Sequence, residues 1–293
     1  MGAFFEPPHK HYDRGDPLPD HLRGVHIMFA KDTLKGKVAY VAGGTSGINL
    51  GIAIGFAQQG AKVVVVGRDP VKAENAAKEI VAASGGEAIG LSADVREYDA
   101  IEASLKATTE KYGKIDIVVA GAAGNFPAAA VNLSAKGFKT VVDIDLLGTY
   151  NVFRAAFDHI NQKGASLIAI TAGQAVNPMP FQAHVCAAKA GINMLIKCLA
   201  MEWGPAGIRV NGISPGPIEG TEGVARLVPT EELKQKWTNQ IPLRRFGQRD
   251  EIANAAIFLS SSLGAYITGT ILDVEGGFQL GDSSPDCLVK VER

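Results

Sequence analysis

The run Ala61-Lys62-Val63-Val64-Val65-Val66-Gly67 constrains the fold more than any other stretch of this chain. β-Branched side chains stand well on a pleated surface, and a strand without polar alternation has both of its faces buried. That environment exists where helices cover both sides of a parallel sheet. Upstream, Val38-Ala39-Tyr40-Val41-Ala42 leads directly into Gly43-Gly44-Thr45-Ser46-Gly47-Ile48, a strand, a tight turn and the start of a helix. Further strand candidates fall at 87–93, 115–120, 166–171, 209–214 and 270–274, and helical segments at 70–83, 97–112, 134–159 and 183–203.

Seven strands with intervening helices and no long polar linker predict an α/β fold, a doubly wound parallel sheet of Rossmann type in a single domain over residues 34–280. Residues 1–33, rich in Pro, His and Asp with a short amphipathic piece at 21–29, read as an N-terminal extension, and 281–293 as a C-terminal tail. A net charge of −1 leaves no electrostatic footprint for nucleic acid or an anionic membrane. No apolar stretch reaches the roughly 18 residues of a membrane span, and the start of the chain does not read as a secretory signal. Cys186, Cys198 and Cys287 lack disulfide or metal-ligand spacing, which predicts a reducing, cytoplasmic setting and no metal site. Residues 214–229, with Pro215-Gly216-Pro217 and Gly220 to Gly223, read as one long irregular loop of the kind that covers a substrate.

The turn after the first strand reads as a nucleotide site. Glycine at 43 and 47 permits positive φ and leaves room for a pyrophosphate at the helix N-terminus, beside Thr45, Ser46 and Ile48. Asn49 stands where a third glycine usually lets the helix approach the sheet. Gly47, Gly51 and Gly55 form an i, i+4 stripe expected to keep that approach close. Arg68 follows the second strand, where a carboxylate commonly holds the ribose hydroxyls of the unphosphorylated cofactor. A guanidinium suits a 2′-phosphate and predicts NADPH; the competing reading is a solvated surface arginine. Asp69 comes one residue late for the ribose role, and Asp94 with Val95 borders the adenine edge. Ala187, Ala188, Ala190 and Gly191 leave room for a cofactor beside Lys189.

With Gly43–Ile48, Asp94, Lys189 and Pro215-Gly216-Pro217, the chain resembles the short-chain dehydrogenase/reductase family over about residues 34–280. Three stretches narrow the resemblance to the 2,4-dienoyl-CoA reductases of peroxisomal type: Ala122-Ala123-Gly124-Asn125-Phe126, residues 138–145, and Pro217-Ile218-Glu219-Gly220-Thr221-Glu222-Gly223. The resemblance implies NADPH-dependent reduction of a 2,4-dienoyl-CoA thioester to a 3-enoyl-CoA by a homotetramer. It implies that Lys189 holds the nicotinamide ribose and that Ala122, Pro215, Gly216, Ile218 and Thr221 belong to the cofactor site. Asp145 stands where most of the family has asparagine and this branch has aspartate. Val185 replaces the usual tyrosine, four residues before Lys189, and Ala172 the usual serine, which leaves Thr171 as the nearest hydroxyl. Ala120-Gly121 departs from the common Asn-containing pair. The chain ends Val291-Glu292-Arg293, which is not a peroxisomal address, so a cytoplasmic relative is expected.

Ketone reduction needs a proton delivered to a nascent alkoxide, a task for an ionisable hydroxyl beside a lysine. Reducing a conjugated dienoyl thioester asks instead for donors aimed at the thioester oxygen and a proton for the neighbouring carbon. A water held between Asp145 and Lys189 would supply that proton. Asn125 is a candidate donor to the oxygen, Phe126 a contact for the acyl chain, and Gln174 and His184 weaker substrate-side candidates; a structural turn at 125–126 and a satisfied helix histidine are the competing readings. Arg68, Lys72, Arg154 and Arg226 are the cations available for CoA. Two other functions stay open from sequence: a carbonyl or 3-oxoacyl reductase using His184 or water, and a catalytically silent NADP-binding scaffold.

Overall fold

The structure, a computed structural model, describes Phe29 and residues 32–283. Most of the extension and of the tail, with Cys287, lies outside the described residues. Among the described residues seven strands form one parallel sheet: β1 (Val38–Ala42), β2 (Lys62–Gly67), β3 (Ala88–Ser92), β4 (Ile117–Ala120), β5 (Ser166–Ile170), β6 (Arg209–Pro215) and β7 (Ile271–Val274). Their order is β3-β2-β1-β4-β5-β6-β7. The helices are α1 (Gly47–Gln58), α2 (Pro70–Ser84), α3 (Tyr98–Tyr112), α4 (Ala135–Val142), α5 (Gly148–Ala156), α6 (Ala183–Trp203), α7 (Glu222–Leu227), α8 (Glu231–Gln240) and α9 (Arg249–Ser260).

Alternate residues of each central strand serve opposite faces of the sheet. Val38, Tyr40, Val64, Val66, Val118 and Leu167 cluster with Ile101 and Leu105 of α3, Phe153 of α5 and Ile192 of α6. Ala39, Val41, Val63, Val65, Val119 and Ile168 cluster with Phe56 of α1, Ile80 of α2 and Ile257 of α9. The valine run of β2 is therefore buried on both sides, as its composition requires. Tyr40 reaches through the core to Ser104, 2.6 Å between hydroxyls, and burial pushes its phenol far above the usual range.

Four expectations change. The single helix expected over 134–159 is α4 and α5 joined by a π-helical turn, Asp143–Leu147. Such a turn accommodates one more residue than an α-helical turn and collects at functional sites; here it carries the buried Asp145. The glycine stripe of α1 faces a helix rather than the sheet. A Cβ at Gly51 would lie 2.8 Å from Arg249 Cβ, and one at Gly55 2.8 Å from Ala253 Cβ, so these glycines admit α9. The loop at 214–229 is not wholly irregular. β6 runs to Pro215, Ile218 bridges to Gly247, and α7 follows Thr221, whose side chain caps it. Finally, the helix at 183–206 is long and apolar enough, by length and composition, to cross a bilayer, which the sequence expectation excluded. It is a core helix, carrying Val185, Ala188, Lys189, Ile192 and Ile196 inward.

Candidate active site

The order in which strands are added to the sheet reverses between β1 and β4, since β2 and β3 lie to one side of β1 and β4 to β7 to the other. Ligands bind at the carboxyl ends of strands around such a point. A cleft of about 1000 Å³ opens there, bordered by Gly43, Thr45, Ser46, Gly47, Ile48, Arg68, Asp94, Val95, Ala122, Lys189, Pro215, Gly216, Ile218 and Thr221. Every sequence-proposed cofactor position thus lines one cleft.

At one end, Gly43 has φ +77°, and a Cβ there would lie 2.6 Å from Ala122 N. Only a bare backbone permits that approach. Ser46 precedes α1 without a side-chain capping bond, so the first amides of the helix stay free for an anion. Arg68 and Lys72 sit on the same wall. Asp69 is spent on α2, accepting from Val71 N at 2.9 Å and Lys72 N at 3.1 Å, which removes it from any ribose. Asp94 is gripped by Arg96, whose Nε lies 3.0 Å from Oδ1; that guanidinium first, and Arg68 to a smaller degree, holds its carboxyl below the usual range. The cradle fits a dinucleotide: a crowded glycine turn, open helix amides and two cations beside the second strand.

At the other end the π-helical turn and α6 bring Asp145 and Lys189 together. Asp145 Oδ1 accepts from Gly124 N at 2.7 Å, and Oδ2 lies 3.2 Å from Lys189 Nζ. Nζ also donates to Ile170 O at 3.0 Å. The side chains are only 1% and 7% exposed, so neither charge is left to water alone. Their contact is direct. Val185 packs with Val141 and Ala188, filling the tyrosine place with hydrocarbon. Thr171 is buried and its hydroxyl donates to Asn193 Oδ1 at 2.7 Å, so it does not replace the absent serine.

The substrate-side candidates divide. Asn125 and Gln174 line the cleft. Asn125 Oδ1 is buried without a partner among the described residues, and its backbone carbonyl accepts from Arg226 of α7 at 3.1 Å, a link between α7 and the opposite wall. Gln174 Nε2 donates to Gln182 at 3.1 Å. Phe126 and His184 lie against each other with ring centroids 4.6 Å apart. His184 is fully buried, and neither ring nitrogen has a partner among the described residues. Thr221 spends its hydroxyl on Ile218 O at 2.8 Å and on capping α7. Arg226 and Lys72 reach the cleft, Arg226 also pairing with Glu222 at 3.1 Å, whereas Arg154 of α5 pairs with Asp158 just beyond that helix. Sequence reasoning missed the far wall, Val224, Leu227, Trp237, Phe278 and Gln279, which is mostly apolar. Among the described residues no three His, Cys, Asp or Glu side chains converge as a metal site.

Comparison with known proteins agrees with this fold. The family model described as enoyl-(acyl carrier protein) reductase matches residues 42–279. The protein named peroxisomal 2,4-dienoyl-CoA reductase, (3E)-enoyl-CoA-producing, of Rattus norvegicus is 42% identical over 260 residues, covering 88% of this chain and 89% of that one. Its namesake in Saccharomyces cerevisiae is 42% identical over 268 residues, covering 88% and 91%. Among solved structures, a short-chain dehydrogenase of Bacillus anthracis superposes with a TM-score of 0.73 at 37% identity, covering 83% of this chain and 96% of that one.

Proposed function

The chain belongs to the short-chain dehydrogenase/reductase family, and we propose that it reduces 2,4-dienoyl-CoA thioesters to 3-enoyl-CoA with NADPH. The observation that carries this reading is the buried Asp145–Lys189 pair beside the cleft, with hydrocarbon at Ala172 on its wall and at the buried Val185 in place of the hydroxyls that ketone reduction requires. Relatives at about 40% identity bear the names of such reductases, which supports it further.

Gly43, Thr45, Ser46, Gly47 and Ile48 hold the pyrophosphate, Arg68 and Lys72 the 2′-phosphate, Asp94 and Val95 the adenine edge. Lys189 holds the nicotinamide ribose, and Ala122, Pro215, Gly216, Ile218 and Thr221 form the walls around it. When bound, the cofactor supplies a hydride to the far end of the diene. The chain's own residues then meet the charge that spreads to the thioester oxygen. Asn125 donates to that oxygen through its amide, with Gln174 beside it. A water resting on the Asp145–Lys189 pair, rather than between its members, protonates the carbon next to the carbonyl. Phe126 packs along the acyl chain, and His184 beneath it donates to substrate only if Phe126 turns aside. Arg226, at the rim on α7, meets the CoA phosphates.

Reduced, unpaired Cys186 and Cys198 suit a cytoplasmic setting, although the rat and yeast relatives are named peroxisomal. A homotetramer accounts for Met194 and Met201, 59% and 81% exposed on α6; light scattering at about four chain masses is the expected result, and one chain mass would sink it. The activity itself is tested by cofactor oxidation with 2,4-hexadienoyl-CoA, crotonyl-CoA and acetoacetyl-CoA side by side. Turnover on the dienoyl thioester alone is expected. NADPH binding without that turnover would defeat the reading.

A further inference from the structure

Two departures in the sequence, Asn49 where a glycine usually opens the helix and Gly121 in place of an Asn-containing pair, lie 72 residues apart in the chain and in contact in the fold. Asn49 Nδ2 donates to Gly121 O at 2.7 Å and to Gly43 O at 3.3 Å. A Cβ built at Gly121 would lie 2.3 Å from Asn49 Oδ1, 2.5 Å from Nδ2 and 2.6 Å from Cγ. No side chain fits there while Asn49 stands in place, so Asn49 depends on glycine at 121. The dependence runs both ways. A small residue at 49 with glycine at 121 would empty the space and withdraw the donor from both carbonyls.

We propose that Asn49 and Gly121 are one compensated exchange, and that Asn49 is a positioning residue of the cofactor site. The proposal rests on the assignment of a nicotinamide dinucleotide to this cleft. The amide ties together two backbone segments that already crowd each other, since a Cβ at Gly43 would lie 2.6 Å from Ala122 N. Gly43 belongs to the phosphate turn, and Ala122 lines the cofactor cleft. Two residues further on, the N–H of Gly124 holds Asp145 Oδ1 at 2.7 Å. One buried side chain, 8% exposed, therefore sets the spacing between the phosphate turn and the segment that anchors the catalytic carboxylate. The orientation of the amide is fixed by chemistry: reversing it would set its oxygen against two carbonyl oxygens. That arrangement leaves Oδ1 without a partner among the described residues.

The test is a double-mutant cycle read by NADPH dissociation constant and by melting temperature. Asn49→Gly alone is expected to weaken NADPH roughly tenfold. Gly121→Ala alone is expected to lower the melting temperature and weaken NADPH at least as much. In the Asn49→Gly background, Gly121→Ala is expected to cost less than twofold. The swapped pair Asn49→Gly with Gly121→Asn is expected to bring the dissociation constant back within about threefold of the parent. If Gly121→Ala alone does not fold, the folding of Asn49→Gly/Gly121→Ala still supports the coupling. Equal penalties for Gly121→Ala in both backgrounds would overturn the proposal. So would an unchanged dissociation constant in Asn49→Gly, since a merely structural residue would lower melting without moving cofactor affinity. None of these readouts uses an acyl substrate, so an inactive chain that obeys the cycle would defeat the assigned reaction and leave this pairing standing.

Discussion

Asp145→Asn is expected to fold, to bind NADPH within about threefold of the parent, and to lose roughly 10²–10⁴ of its turnover on a dienoyl thioester, the range that one positioned acid–base group contributes. Asparagine keeps the shape of the side chain and an oxygen for Gly124 N, now at 2.7 Å. It removes the negative charge that lies 3.2 Å from Lys189 Nζ and that, in the proposed reaction, organises the proton source. Lys189→Met acts differently. It strands a carboxylate that is 1% exposed, so a stability loss of about 3–5 kcal/mol is expected in addition to lost activity. The double variant Asp145→Asn/Lys189→Met, with no charge left to strand, is expected to recover most of that stability and none of the turnover. Stopped-flow cofactor oxidation and denaturant melts separate the two effects. Retention of more than a tenth of parental turnover by Asp145→Asn would remove the pair from the chemistry.

Arg68→Ser is expected to weaken NADPH by roughly 10- to 100-fold, the value of one or two charge-assisted hydrogen bonds, while changing NADH affinity less than threefold. Arg68 lines the cleft at the end of β2, and Asp69 beside it is committed to capping α2. The wall therefore offers cations and no free carboxylate at that place. Lys72 remains in the variant and sustains part of the discrimination. Fluorescence titration of both cofactors reads the difference directly. Equal losses for NADPH and NADH would return Arg68 to the role of a surface arginine.

Much of the fold was legible because its signals are local. The valine run of β2 and the strand-turn-helix of residues 38–58 state their environment in composition alone. The cofactor cradle follows from them, since glycines and a helix start within a few residues make the site. The end with Asp145 and Lys189 was legible in part. The apolar neighbours Ile144, Leu146 and Leu147 suit an interior carboxylate at 145, but the π-helical turn that carries it leaves no compositional trace. The direction of the α1 glycine stripe depends on α9, which begins more than 190 residues later. The apolar far wall was invisible for a similar reason, because Val224, Trp237 and Phe278 meet only through the folding of separate segments. The burial of His184 is equally tertiary: its i, i+4 spacing with Ala188, Ile192 and Ile196 on α6 places it inward, but only the structure removes every hydrogen-bond partner among the described residues.

The most direct measurement of the central claim is the product formed from 2,4-hexadienoyl-CoA and NADPH in deuterated water. The account predicts a single remaining double bond between C3 and C4, with one solvent deuterium on C2, the carbon beside the thioester carbonyl. A product unsaturated between C2 and C3, or one without solvent deuterium at C2, would contradict it.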